Sequence, residues 1–197
     1  MLPALPDAIL DQLFREARTH RWWEERPIPE MILREIAELA KMGPTSANSS
    51  PGRFVFVVSA QAKEKLRPHL DEGNLRQTMS APATVIVAYD IEFYEKLFYL
   101  APNSPDARSW FAGKPEAIER AGFQGSCLQG AYLIMAARSL GLDCGPMGGF
   151  SRKGVDEAFF PDGRTKSNFL INLGYGIPEK LHPRQPRFAF EEFCTIA

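Results

Sequence analysis

Cysteine is scarce in this chain: Cys127, Cys144 and Cys194 stand far apart, with no CxxC pair and no histidine at ligand spacing. Neither a disulfide framework nor a zinc site is suggested, and buried free thiols are the expectation. His20, His69 and His182, the only histidines, lack metal-ligand spacing, so no metal site is expected. There is no GxxxxGK[ST] and no strand-linked GxGxxG, which removes the P-loop and the Rossmann fingerprint of a nicotinamide dinucleotide. The absence of GxSxG removes the nucleophile elbow. Charge of one sign is not in excess: 23 Lys plus Arg face 24 Asp plus Glu, so no basic field invites nucleic acid or an anionic membrane surface. The most apolar run, Ala131 to Ala137, stops at Arg138, far short of the roughly 20 residues that span a bilayer. The N-terminus, MLPALPDAILDQLF, has no basic n-region and carries Asp7 and Asp11 within its apolar pattern. It does not read as an export signal, and a cytoplasmic location is expected.

What is present is one domain's worth of sequence, residues 1–197, with apolar content near the globular average and no visible linker or repeat. Ile9, Leu13 and Ala17 recur at helical spacing, as do Ile32, Leu33, Ile36, Leu39 and Ala40 behind Pro29, until Gly43-Pro44 ends the pattern. Phe54 to Val58, Ala83 to Tyr89 and Asn168 to Leu173 read as strands. The first two are continuous β-branched and aromatic runs, which predicts a sheet covered by helices on both faces. Short helices are predicted from Ala62 to a stop at Pro68, at Gly73-Asn74, and near Val155 to Phe160. Glu116 to Leu140 is the longest helical segment, apolar nearly all round in its second half, with Gly122 and Gly125 permitting close packing. Leu100 to Pro115 is an irregular excursion holding Trp110 and Phe111, and the Pro-rich tail from Tyr175 to Ala197 carries Phe188, Phe190 and Phe193. Both should pack over a surface.

Three stretches carry candidate chemistry. Arg18 and Arg21 lie where the first helix ends, and Arg184 and Arg187 lie near the other terminus. Arginines hold phosphate through bidentate, charge-assisted bonds, so the four would form an anion clamp if the termini meet; otherwise they are solvated surface charges. The polar loop from Gly43 to Ser50 offers short side chains and backbone groups to a ligand, or is an ordinary helix-to-strand turn. Gly148-Gly149 admits backbone N–H groups close to a flat ring, or is simply a turn. Trp22-Trp23 reads as core or interface.

Taken in order, these segments resemble the nitroreductase family of FMN flavoproteins. RTHRWWEERPIP resembles the family's N-terminal phosphate segment and GPTSANSSP its Pro-Ser-x-x-Asn-x-x-Pro loop. GNLRQTMSAPATVIV is similar to the segment that carries an Asn and an amide or basic side chain to the flavin. SLGLDCGPMGGF resembles the Gly-rich turn, and PRFAFEE the C-terminal Arg that closes on the phosphate. Within the family, GPTSAN, DARSWF, GLDCGPMGGF and KSNFLINLGYG resemble the malonic semialdehyde reductase group associated with pyrimidine degradation.

The resemblance implies an α+β fold: a central mixed β-sheet flanked by helices, in an intertwined homodimer with FMN at the interface. The 175–197 tail would pack on the partner, and 100–115 is a candidate lid. It implies Arg18 and Arg187 as phosphate ligands, supported by Thr19 and Arg21, with Arg184 beside them. Thr45, Ser46 and Asn48 would lie along the isoalloxazine and ribityl chain, with Pro44 fixing the turn. Asn74 and Gln77 would address the pyrimidine edge, and Gly148 and Gly149 would lie beside flavin N5. Two positions depart from the family pattern: Gly148 stands where many relatives have Glu, and Gln77 supplies a neutral donor where many have Lys. The implied activity is ping-pong hydride transfer through N5, in from NADH or NADPH and out to malonic semialdehyde, giving 3-hydroxypropionate. Arg108, in DARSWF, is the candidate for the substrate carboxylate, or else one half of a surface salt bridge to Asp106 or a neighbour. The alternatives are reduction of nitroaromatics, quinones or activated alkenes, and a flavin-binding module without turnover.

Overall fold

Alternation of apolar side chains builds the sheet at the centre. The structure, a computed structural model, describes residues 3–197; Met1 and Leu2, the start of the expected single domain and of the stretch read against an export signal, lie outside the described residues. In chain order the regular elements are α1 (Asp7–Leu10), continued by a π-helical stretch (Asp11–Arg15), α2 (Glu30–Ala40), β1 (Gly52–Val57), α3 (Ala60–Leu66), α4 (Glu72–Ser80), β2 (Ala83–Asp90), α5 (Leu97–Leu100), α6 (Pro115–Ser139), β3 (Asp143–Met147), α7 (Arg152–Phe159), β4 (Thr165–Gly174) and α8 (Phe190–Phe193). The strands lie in the order β1-β2-β4-β3. Every residue of β2 is buried. Val85 and Val87 face one side and meet Ile36 of α2 and Leu133 and Ala137 of α6; Ile86 faces the other and meets Leu66 of α3 and Val155 of α7. Successive side chains of a strand point to opposite faces, so a strand covered on both faces reads as one unbroken apolar run.

The two-sided cover is as expected; the strand directions are not. All neighbouring strands pair antiparallel, and the only parallel pairing among the described residues is the single bridge Thr19↔Cys144. The four named strands therefore do not form the mixed sheet expected from the resemblance, because burial on both faces constrains composition and leaves direction free. Strand β3 was also not anticipated. Its Gly145-Pro146 reads as a turn, yet an edge strand tolerates a proline whose missing N–H faces away from the ladder. His20 N–H donates to the carbonyl of Cys144 at 3.0 Å, so the chain from Thr19 to Trp23 lies along this edge and covers it.

Helix α6 runs beneath the sheet at close range because its glycines admit neighbouring side chains. A Cβ on Gly122 would meet the Tyr89 ring at 2.5 Å, and one on Gly125 would meet Pro51 at 2.5 Å. Helix α3 ends at Leu66, just before Pro68, as expected. Pro68 sits in a 3-10 turn, Arg67–His69, that follows it, since a proline N–H is dispensable in a first turn. The excursion after Leu100 is anchored at its middle: Ala107 and Phe111 are buried against Phe93 and Leu97, with the Phe93 and Phe111 rings edge to face at 5.0 Å. The tail is different. Phe188 and Phe193 are 74% and 77% exposed, and α6 shows Phe123, Leu128 and Tyr132 to solvent.

Candidate functional site

The termini meet. Arg18 Nη2 donates to the carbonyl of His182 at 2.5 Å, and Arg184 Nη2 to that of Ala17 at 3.4 Å. Between them opens a cavity of about 650 Å³ lined by Arg18, Thr19, Arg21, Arg184 and Arg187 together with Arg15, Arg138 and Lys180, and no carboxylate lines it. Arg15 is neutralised by Asp7 and Asp11 at 2.8 and 3.1 Å. Arg138 donates to the carbonyl of Leu13, and Arg187 to those of Gln185 and Pro186. Backbone carbonyls orient a guanidinium without cancelling its charge, so the cavity is an anion receptor in geometry and in sign. Arg138 and Lys180 were not singled out in the sequence. Arg138 closes an otherwise apolar helical run, which was the one available signal.

Behind this cavity, His20 is buried, with Nε2 3.3 Å from Asp143 Oδ1. Burial holds its pKa below the ordinary histidine value, opposed by Asp143 and assisted by Arg18. Burial likewise pushes the Cys144 thiol up to about 12, so this buried cysteine stays protonated. Cys127 and Cys194 are only half-buried, against expectation. Among the described residues no group of three or more His, Cys, Asp or Glu side chains could hold a metal ion.

A second group adjoins the first. Arg76 Nη1 donates to the carbonyl of Arg21 at 3.3 Å and its guanidinium lies 3.3 Å from the centre of the Trp22 ring, while Trp23 Nε1 donates to the carbonyl of Gln77 at 3.0 Å. The clamp segment is thus tied to α4. On α4, Gln77 Nε2 donates to Asn74 Oδ1 at 2.5 Å and Asn74 Nδ2 to the carbonyl of Gly149 at 2.9 Å. A Cβ at Gly149 would collide with Asn74 Nδ2, whereas Gly148 has open space on the side where its own Cβ would stand. Sequence expectation placed Asn74, Gln77, Gly148 and Gly149 at one site, and they are adjacent.

The third group stands apart. Ala47, Asn48 and Ser50 hold left-handed φ values of 53°, 51° and 41°, a conformation that costs a non-glycine residue about 1 kcal/mol or more. Ser50 N–H donates to Thr45 Oγ1, Asn48 Nδ2 to the carbonyl of Leu100, and Arg53 Nη1 to that of Ser50. Ser49 Oγ is buried with no hydrogen-bond partner, the only such side-chain atom among the described residues. The loop leans on α6, where Thr45 and Pro51 flank Gly125 and Gly43 abuts Tyr132. Pro44, Thr45, Ser46 and Asn48 do not line the arginine cavity, so one chain does not bring the loop and the clamp together. Arg108 is bound by both nitrogens of its fork to Glu95, at 2.8 and 2.6 Å, and not to Asp106.

The chain has an α+β architecture with helices on both faces of an antiparallel sheet and, where its termini meet, a cationic cavity that no carboxylate lines. A family model described as "Nitroreductase family" matches residues 14–175, and the chain belongs to that family. It is 54% identical over 195 residues, 99% of this chain and all of the other, to a Ralstonia nicotianae protein that carries the provisional name NADH dehydrogenase/NAD(P)H nitroreductase. A Stenotrophomonas maltophilia protein with the same provisional name is 54% identical across the full length of both chains. Among solved structures, an Exiguobacterium sibiricum nitroreductase in complex with FMN superposes with a TM-score of 0.87 at 20% identity, covering 100% of this chain and 99% of that one. An enone reductase of gut-bacterial fatty acid saturation superposes at 0.83 with 18% identity, covering 98% and 99%. At such identities the likeness is one of fold.

Proposed function

We propose that the chain is an FMN-dependent NAD(P)H oxidoreductase that works as a homodimer. The carrying observation is the cavity of about 650 Å³ at the meeting termini, which gathers cations, all but Arg15 without a carboxylate partner among the described residues, and no acid. A flavin mononucleotide presents one dianionic phosphate on a polar ribityl chain, and an arginine-lined cavity suits that group. FMN supplies the two-electron chemistry, accepting a hydride equivalent from NADH or NADPH and passing it to an electrophile. The residues bind and orient. Arg18, Arg184 and Arg187 would grip the phosphate with Thr19 and Arg21, Asn74 and Gln77 would meet the pyrimidine edge, and the open side of Gly148, beside Gly149, would admit the ring face.

The loop 43–50 lies away from the clamp of its own chain, so the reading assigns its Pro44, Thr45, Ser46 and Asn48 to the site of a second copy. The exposed aromatic tail and the exposed side of α6 support such a partner, since apolar surface of this extent favours burial. The partnerless Ser49 hydroxyl in the same loop is further support, as a buried polar group wants a bond.

For the substrate, the reading descended from sequence is malonic semialdehyde, with a cation to hold its carboxylate. The bidentate Arg108–Glu95 pair leaves that arginine already satisfied, and this favours a second reading, reduction of a neutral nitroaromatic, quinone or activated alkene. The test of the common core is an absorption spectrum after adding FMN and desalting, followed by anaerobic NADPH and then NADH. Retained flavin bands that bleach are the expected result. A protein that retains no flavin would overturn the reading.

A further inference from the structure

One buried ionisable group has no place in the reading so far. Lys63, on α3, is 5% exposed and is the one buried lysine among the described residues. Its Nζ donates to the carbonyl of Thr78 and to Thr84 Oγ1, each at 2.7 Å. Removing an amine from water without a counter-charge is costly, and a lysine is seldom kept in such a place by packing alone. Most charges on the neighbouring elements are engaged elsewhere. Glu64 pairs with Arg67 on its own helix, Arg76 of α4 lies over Trp22, Asp90 of β2 is taken by Arg53 and Arg164, Asp143 of β3 faces His20, and on α7 Asp156 accepts from Ser167 N–H while Lys153 pairs with Glu157.

The hydrogen bonds from Lys63 as far as Met147 point one way. Thr84 Oγ1 donates to Asn172 Oδ1 at 2.8 Å, Asn172 Nδ2 to Thr78 Oγ1 at 3.4 Å, and Thr78 Oγ1 to Met147 Sδ at 3.5 Å. Gln77 Nε2 approaches the same sulfur at 4.0 Å and donates to Asn74, which holds Gly149. As far as Met147 each donor turns its hydrogen away from the amine; the sulfur, which has no hydrogen to pass on, also accepts from Gln77 Nε2, so the positive end of the aligned run lies at Met147, against the Gln77 amide. Bonds aligned in this way polarise one another, most strongly when the first member is charged. Asn74 and Gln77 are neutral; the carboxylate of Asp71, at the N-cap of α4, also lies against Gly149.

We propose that Lys63 is a positioning residue for the flavin site whose ammonium charge, carried through Thr84, Asn172 and Thr78 to the Met147 sulfur that Gln77 also contacts, favours the reduced, more negative state of the cofactor. The inference rests on the FMN reading above. Burial lowers the Lys63 pKa from 10.5 to about 7, so the amine changes charge near neutrality. A negative charge gained at the pyrimidine edge would draw a solvent proton onto Nζ, with no bond made to the flavin. Reduction at the site and protonation of Lys63 are then linked: each favours the other by the same factor.

The experiment is a spectroelectrochemical titration of FMN-loaded wild type, Lys63→Met and Thr84→Val at several pH values across neutrality. The expected result is a lower potential in Lys63→Met, with at least a tenfold loss in the equilibrium constant for reduction, about 30 mV for a two-electron couple. Thr84→Val, which keeps the amine and cuts the chain, should fall between the two. A purely structural lysine would weaken FMN binding in both redox states alike and leave the potential unmoved; equal potentials at equal FMN occupancy overturn the proposal. The second measurement needs no variant. In isotope-labelled wild-type holoprotein the buried lysine resonance should titrate at a higher pH after flavin reduction, and identical titrations would overturn the proposal even if Lys63→Met fails to fold. If the wild type retains no FMN, the function reading fails first, and this inference with it.

Discussion

Arg18 joins the two ends of the chain: its guanidinium donates at 2.5 Å to the carbonyl of His182, 164 positions later. One N–H is used in this way, and others remain for an anion in the cavity beside it. Arg18→Ala should weaken FMN binding on the order of tenfold to a hundredfold, the loss that follows removal of a charged hydrogen-bond donor. Arg18→Lys should recover part of it. Fluorescence titration of FMN measures both, and undiminished binding in Arg18→Ala would remove the clamp from the reading.

Lys63 and Cys144 give the free protein an alkaline stability profile whose sign can be worked out. The folded Lys63 pKa, about 7, lies below its ordinary 10.5, so between these values the unfolded chain binds more protons and stability rises with pH, by at most about 1.4 kcal/mol per unit. The folded Cys144 pKa, about 12, lies above its ordinary 9.0, so from there upward the unfolded chain releases a proton first and stability falls. The expected curve rises from neutrality and levels off near pH 9. Urea unfolding of wild type and Lys63→Met measures it, and a variant that retains the rise would contradict the assignment to Lys63.

Asp90 fastens three strands at one end of the sheet. It takes two bonds of 2.7 Å from Arg164 and one of 2.8 Å from Arg53, which also donates to the carbonyls of Ser50, Pro51 and Gly52. Burial would raise the Asp90 pKa, but Arg164, the Glu92 N–H and Arg53 outweigh it and hold the carboxyl below its ordinary value. Its contribution is complete above the ordinary carboxylate range and is lost as pH falls toward the lower folded value. Asp90→Asn should cost about 1–3 kcal/mol at neutral pH, discounted because both arginines are partly exposed. Chemical denaturation with and without FMN tests this, and an unchanged midpoint would count against it.

The Arg108–Glu95 pair offers a handle on substrate choice. If malonic semialdehyde is the substrate and Arg108 its receptor, Glu95→Gln should free the guanidinium and raise kcat/KM for the acid semialdehyde relative to a nitroaromatic, while Arg108→Ala should lower that ratio. Proportional effects of both variants on both substrates would leave Arg108 a surface pair and favour the neutral-substrate reading.

The exposed tail makes a prediction about assembly. Sedimentation should give a dimer, and truncation before Phe188 should shift it toward monomer and reduce FMN retention together, because the loop of one copy and the clamp of the other would separate. A truncated chain that stays dimeric and fully loaded would dissociate the tail from the site.

The longer helices and three of the strands were legible because Ile36, Val85 or Leu133 recur at spacings that burial imposes, whereas the short turns of helix at Leu97–Leu100 and Phe190–Phe193 carry no such spacing. The gathering of Arg18, Arg21, Arg184 and Arg187 was a reading conditional on the termini meeting, and they do meet. Strand β3 was hidden by Gly145 and Pro146, which announce a turn until an edge position excuses them. Lys63 was hidden too: among Gln61, Glu64 and Lys65 a lysine reads as one more solvated charge, and only packing reveals where it points. The separation of the 43–50 loop from the clamp is a relationship between distant segments, and no local pattern carries it.

Pro146 has a bearing on how the sheet meets other chains. With Thr19 to Trp23 laid along β3 and a proline within it, that flank offers no ladder for a further strand. Among the described residues β1 pairs with β2 alone, so Gly52–Val57 is the side left open. Growth by strand addition is thereby confined to the β1 side of the sheet.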